Sequence, residues 1–200
     1  MKSLLVIISL ISSIGHAMDW SAQKWTGQLD LRQTASDAAG TGCSSNTTCT
    51  ANTQTMFGAG ATTVFDMGND FALRTGGMLT QRGYKQTDSA GAGTASMNLT
   101  YLDVPVLPEY KINDMFSAYA GIVVGLKASR SCGFDAATCT SLSDKSIVTP
   151  LQVGGTYNID KQWTAHLTYE TGSTLATVPG QASSEVKTSN AIALGGGYTF

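Results

Sequence analysis

Phe116-Ser117-Ala118-Tyr119-Ala120-Gly121-Ile122-Val123-Val124-Gly125-Leu126-Lys127 alternates from end to end. Phe116, Ala118, Ala120, Ile122, Val124 and Leu126 share one face of an extended chain; Ser117, Tyr119, Gly121, Val123, Gly125 and Lys127 share the other. Period two marks a strand with two unlike faces, because successive side chains of an extended backbone point to opposite sides. The pattern recurs outward in both directions. Trp25–Leu31, Phe57–Phe65, Phe71 to about Tyr84, Leu102–Val106, Leu151–Tyr157, Trp163–Tyr169 and Ile192–Phe200 all place apolar residues on every second position. Together they predict eight strands. A 3.6-residue period is hard to find after residue 17, which argues against a helical bundle.

The connections alternate as well. Met67-Gly68-Asn69-Asp70, Ile112-Asn113-Asp114 and Ile159-Asp160-Lys161 have the Gly, Asn and Asp chemistry of tight hairpins. Between them lie long polar stretches at 33–52, 85–96, 129–144 and 173–187. Three tight turns and four long loops make an up-and-down antiparallel meander. With an even strand count, both ends and all tight turns lie on one side. A soluble barrel would turn its apolar face inward, and a transmembrane barrel would turn it outward. The apolar face is aromatic near strand ends, at Trp25, Phe57, Phe65, Phe71, Phe116, Tyr157, Trp163, Tyr198 and Phe200. Aromatic residues at those heights suit the two membrane interfaces.

Composition agrees. The chain has 200 residues, one domain's worth, with 42% hydrophobic and only 13% charged residues. A soluble domain carries about 25% charge. The net charge of -2 gives no electrostatic footprint for nucleic acid. Lys2, the apolar run Leu4–Ile11 and the small residues Gly15 and Ala17 read as a secretory signal peptide over residues 1–17, leaving a domain over 18–200. Met18 rather than Cys stands first after the cut, so lipid anchoring is not expected. No apolar run of about 18 residues follows it either, so no helical span is expected.

Two segments carry a resemblance. Leu194-Gly195-Gly196-Gly197-Tyr198-Thr199-Phe200 ends on Phe with an aromatic two residues earlier. Tyr198 and Phe200 thus resemble the C-terminal signal of bacterial outer-membrane barrels. Tyr101-Leu102-Asp103-Val104-Pro105-Val106-Leu107-Pro108-Glu109-Tyr110 resembles the YLxxPxLxxY strand of the outer membrane protein β-barrel domain group. The resemblance implies an all-β fold: an eight-stranded antiparallel up-and-down transmembrane β-barrel in a Gram-negative outer membrane, with no assigned activity. Extracellular loops and periplasmic termini are expected. Outer-membrane lipids and, during biogenesis, the barrel assembly machinery are the expected partners, and a monomer is the expected state.

If the apolar face looks outward, the opposite parity encloses Asp30, Arg32, Arg74, Arg82, Asp103, Glu109, Lys111, Lys127, His166 and Glu170. An eight-stranded barrel is just wide enough inside for side chains. Charges there must pair, because an isolated buried ion costs several kcal/mol or more. A salt-bridged interior is the main expectation, and a narrow path for ions or small solutes the alternative. Pro105 and Pro150 fall inside proposed strands, where each removes a ladder donor and predicts a bulge or irregularity.

Cys43 and Cys49 lie in the first long loop, Cys132 and Cys139 in the third. An oxidising compartment favours disulfides. Cys43–Cys49 and Cys132–Cys139 are the simplest of three connectivities. The spacings lack a CxxC knuckle and no His lies nearby, so neither metal nor cofactor is expected. A lipid-modifying enzyme is a further alternative. His166 and Glu170, however, would stand about 13 Å apart along one strand, too far for a base and its orienter. No GxSxG and no phosphate-cradling loop occurs. No catalytic residue is therefore expected. The role predicted is display of shaped loops, for envelope integrity, adhesion or surface protection.

Overall fold

The computed structural model describes residues 24–36, 49–88, 94–133, 142–177 and 185–200. The leader expected at 1–17, and Cys43 and Cys139, lie outside the described residues. Eight strands form the wall: β1 (Trp25–Ser36), β2 (Gln54–Gly68), β3 (Phe71–Asp88), β4 (Thr94–Lys111), β5 (Phe116–Cys132), β6 (Leu151–Asn158), β7 (Trp163–Thr171) and β8 (Glu185–Thr199). Each pairs antiparallel with the next in sequence. β8 then returns to β1, from Thr26↔Thr199 to Ser36↔Thr188. The sheet is a closed barrel with no free edge, so its backbone donors and acceptors are satisfied within the wall. No helix occurs among the described residues.

Several strands outrun the alternation read from sequence. β3 and β4 have 18 residues each. They reach Asp88 and start at Thr94, so most of the stretch read as a loop at 85–96 is ladder. The other long connections carry strand too. Cys49–Ala51 pairs with the far end of β3. Ser143–Asp144 pairs with Thr174–Thr177, and Ile147–Val148 pairs with β5.

The tight turns lie at the opposite end. Gly68, Asn69 and Asp70 have φ of 82°, 55° and 65°. Two consecutive left-handed residues match the twist of a hairpin, and Asn and Asp tolerate them best after Gly. In the last turn, Asp160 Oδ1 accepts the backbone N–H groups of Trp163 and Gln162, each at 2.7 Å. Those two donors hold the Asp160 carboxyl below its usual range. Three aromatic pairs ring this end: Phe71–Tyr110 at 5.1 Å, Phe116–Tyr157 at 4.8 Å and Trp163–Tyr198 at 5.0 Å between centroids. Each clasps two neighbouring strands that no tight turn joins.

Pro105 and Pro150 each sit at an irregularity. Pro105 faces Val123 on β5, but the β3–β4 ladder breaks there, between Thr75↔Val106 and Met78↔Asp103. No residue is inserted, so this is an interruption rather than a bulge. Opposite it, Gly76 has φ of 154°, and a Cβ there would lie 2.2 Å from the Ala61 carbonyl oxygen. Pro150 lies outside any strand, between Ile147–Val148 and β6, and its carbonyl accepts the Val123 N–H at 3.0 Å.

The two faces differ sharply. Leu29, Leu167 and Leu194 are 71%, 56% and 63% exposed on the outside, whereas Arg82 and Glu170 are 1% and 3% exposed within. Phe65 keeps the outward register, opposite Leu73, but is buried.

Gly76→Ala is expected to cost more than about 1 kcal/mol, because it combines a positive φ with a backbone clash. Gly77→Ala, with nothing within 4 Å of its Cβ, serves as control. The thermal midpoint of heat-modifiable gel mobility should fall for the first variant and hold for the second.

Candidate functional site

The outward face is an apolar belt. At the turn end it begins with the aromatic pairs. At the loop end its last apolar row is Leu79↔Leu102↔Leu126, and the next row is Gln81↔Thr100↔Ser129. From Phe71 to Leu79 the chain rises about 26 Å, or about 20 Å of height at a tilt near 40°. With its aromatic rims this approaches the apolar band of about 25 Å typical of outer-membrane barrels.

Inside, the ionisable side chains form layers. Nearest the turns, Arg74 Nε donates to Glu109 Oε2 at 2.8 Å, and Nη2 donates to Glu109 Oε1 at 3.2 Å and Thr156 Oγ1 at 2.9 Å. Ser117 Oγ donates to the same carboxylate. The Arg74 guanidinium lies 5.1 Å from the centre of the Tyr119 ring, whose hydroxyl bonds Thr168 Oγ1 at 2.6 Å.

The next layer is His166 Nε2 with Asp30 Oδ1, 2.7 Å apart. These residues stand on β7 and β1, with β8 between them. Gly195 faces both in register. A Cβ on Gly195 would lie 2.2 Å from His166 Nε2 and 2.4 Å from Asp30 Oδ1, so only glycine lets the two meet across the strand.

Arg82 centres the third layer. Its guanidinium donates to both oxygens of Asp103, at 2.9 and 2.8 Å, and both of Glu170, at 2.9 and 3.0 Å. Gln152 Nε2 donates to Glu170 Oε2 at 2.8 Å. Arg32 Nη2 lies 2.9 Å from Glu170 Oε1 as an ion pair, out of line for a hydrogen bond. Glu170 thereby ties β7 to β1, β3 and β6. Such bidentate charge-assisted bonds are the strong ones, and burial makes each partner indispensable.

Above this the loop-end mouth is capped. Tyr84, Met97, Leu99 and Tyr101 on β3 and β4 pack against Leu142, Val148, Leu175 and Ala176 from the connections. Asp144 bolts the cap down: Lys127 Nζ donates to it at 3.0 Å and Arg130 Nη1 lies 3.1 Å from its Oδ1. Tyr101 Oη donates to the Lys145 carbonyl at 3.1 Å. Cys132 packs half-buried against this cluster.

Of the charges expected in the interior, Lys111 departs. It has the inward parity but stands on the turn-end rim, exposed, 3.0 Å from Asp114. Parity fixes the side, not the height, and Lys111 is the last residue of β4. Lys127 lies at the other limit, part-buried under the cap. Sequence reasoning missed Ser117, Gln152, Thr156 and Asp144 as partners. It also missed that Leu107, Tyr119 and Val123 pack together.

Two cavities lie along the lumen among the described residues. A chamber of about 40 Å³ lies among Arg74, His166, Asp30, Arg32, Thr62 and Asp103. A vestibule of about 530 Å³ opens at the turn end, with Glu109 and Arg74 at its floor and Asp66, Asp70 and Lys111 at its rim. No group of three metal-ligating side chains occurs among the described residues.

Residues 4–200 match the family described as the outer membrane protein beta-barrel domain. This chain belongs to that family. Three solved barrels illustrate the likeness. OprG from Pseudomonas aeruginosa shares 13% identity at a TM-score of 0.49, over 90% of this chain and 96% of that one. Ail, the attachment invasion locus protein of Yersinia pestis, shares 14% at 0.47, over 89% and 99%. Outer Membrane Protein W of E. coli shares 15% at 0.47, over 90% and 98%. No curated protein matches the chain.

In an outer membrane protein beta-barrel domain the outward belt meets lipid. Leu167→Arg should therefore destabilise this barrel by about 2–4 kcal/mol, the usual penalty at mid-bilayer. Urea unfolding in lipid vesicles reads it directly. Inside, Glu170→Ala leaves Arg32 without a carboxylate and Arg82 with Asp103 alone, and should cost about 3–5 kcal/mol. Equal stability of this variant and the wild type would mean that the layer contributes nothing.

Proposed function

We propose that the protein is a non-conducting, non-catalytic outer-membrane barrel that displays shaped loops outside the cell, for envelope integrity, adhesion or surface protection. The observation that carries this reading is the filled lumen: two arginine–carboxylate layers span it and an apolar cap bolted by Asp144 covers the loop end. In this reading the loops are extracellular and the termini periplasmic. Residues 1–17 are removed on export, the barrel assembly machinery inserts the chain, and the barrel works as a monomer among outer-membrane lipids. Cys43–Cys49 and Cys132–Cys139 close the first and third loops, which limits their conformations and shields them from proteases.

The turn-end vestibule of about 530 Å³ favours a second reading, a narrow path for ions or small solutes. The Arg74 layer stands across that path. A lipid-modifying enzyme has less support, because His166 is buried against Asp30 on the inward face, away from the lipid belt.

Planar bilayers separate the first two readings. Purified barrel should give no conductance steps, and reproducible steps would replace display with a pore. On intact cells, added protease should cut the second and fourth loops, which hold no cysteine, and leave a C-terminal epitope intact. Loss of that epitope with the outer membrane unbroken would reverse the orientation.

A further inference from the structure

Phe65 breaks a rule that the rest of the outer wall keeps. It has the outward register, opposite Leu73, yet it is only 3% exposed. At the same end Phe71, Tyr110, Phe116, Trp163 and Tyr198 keep 38–55% exposure, although each of them packs against or beside another ring. Thr63, two residues before Phe65 on the same face, is buried as well, and Leu73 is half-buried. A side chain that stands out from a convex wall has the sheet on one side only, so neighbours within the sheet cannot hide it. Further chain must lie over it. Neither Phe65 nor Trp25 is without a partner.

Thr63 shows where the cover comes from. Its hydroxyl donates to the Lys24 carbonyl at 2.9 Å. The Thr63 side chain is on the outer face, so the chain enters β1 from that side, next to Phe65. Reach excludes the other undescribed stretches, which join strands at the loop end. The longest, 37–48, extends at most about 20 Å from its anchors at about 3.4 Å per residue. That is short of the roughly 28 Å of barrel height between Ser36 and Trp25 at a tilt near 40°. The C-terminus is not the cover either, because Phe200 lies beside Gly27 and stays 73% exposed. The chain just before Lys24 is left.

The three ring pairs of this rim join β3 to β4, β5 to β6 and β7 to β8, each between register partners. β1 and β2 are the fourth such couple. There Trp25 faces Thr63, and continuing the register would set Gln23, not a ring, opposite Phe65. Upstream, Met18, Trp20 and Ala22 alternate with Asp19, Ser21 and Gln23, an apolar face against a polar one. We propose that Met18–Gln23 is an arm docked on the outer wall at the turn end, with Trp20 packed on Phe65. The arm gives the β1–β2 position the aromatic pair that its own strands lack, and the indole N–H suits the polar edge of the lipid belt. It also pins the start of β1 beside the closing seam, where the Trp25 carbonyl accepts the Phe200 N–H at 3.1 Å. Under the proposed cut after Ala17, this arm is the N-terminus of the exported chain.

The test uses the exported, purified barrel in nanodiscs with Trp25→Phe and Trp163→Phe, which leaves Trp20 as its single indole. The emission of Trp20 should be blue-shifted, and acrylamide should quench it several-fold less than free tryptophan. Proton cross-peaks should link the indole to the Phe65 ring. Phe65→Ala should red-shift the emission and restore quenching while heat-modifiable mobility stays normal; if that variant does not fold, the cross-peaks decide alone. An indole fully open to acrylamide, or one shielded without cross-peaks to Phe65, would overturn the docked arm. Cross-peaks to Thr26, Asp66 or Thr199 would also overturn it, because they would put the arm in the vestibule.

Discussion

A chain that crosses a bilayer as strands must satisfy every backbone N–H and C=O within its own sheet, because hydrocarbon offers no partner. Here that demand is met by the seam between β1 and β8, where Thr26 to Ser36 pair back onto Thr199 to Thr188. The rest follows from closure. Once the sheet is a ring, each residue looks either into lipid or into a lumen barely wider than its side chains. Alternation therefore sorts the chain into two solvents. Leu79, Leu102, Leu126, Leu167 and Leu194 meet one; Arg82, Asp103, His166 and Glu170 meet the other.

The enclosed set must then find partners, because the lumen is too narrow to solvate charges freely. The solution is layered. Arg82 bridges Asp103 on β4 to Glu170 on β7, and Arg74 links Glu109 on β4 to Thr156 on β6, so the layers act as struts across the barrel as well as neutralised charge. Arg82 and Glu170, 88 residues apart in sequence, meet only when the ring has closed. Glycine makes room where two neighbours must reach across a strand, as Gly195 does between His166 and Asp30. At the loop end the strands outlast the charge layers, and apolar side chains from the connections take over the filling.

Alternation made the faces legible in the sequence. Phe116–Lys127 alone assigns twelve residues to two sides, and the structure keeps that division. The turns were legible through Asn69, Asp70, Asn113 and Asp160, whose side chains or left-handed backbones shape the reversals. Heights were not legible. A period of two says which way a residue looks but nothing about strand stagger, which places Lys111 on a rim and Arg82 in a central layer. Neutral partners such as Gln152 and Thr156 carried no signal apart from inward parity. Asp144 was hidden for another reason: it sits in a polar stretch that reads as solvated loop, and only tertiary packing folds it over the mouth.

The central claim is that odd and even positions of one strand live in different media. Spin labels test it most directly. In a background with the four cysteines replaced by serine, labels at Leu167→Cys and Thr168→Cys would be compared in phospholipid vesicles by their collision rates with oxygen and with a water-soluble nickel chelate. The account predicts a label at position 167 that collides freely with oxygen and one at 168 shielded from both. The reverse order would contradict it.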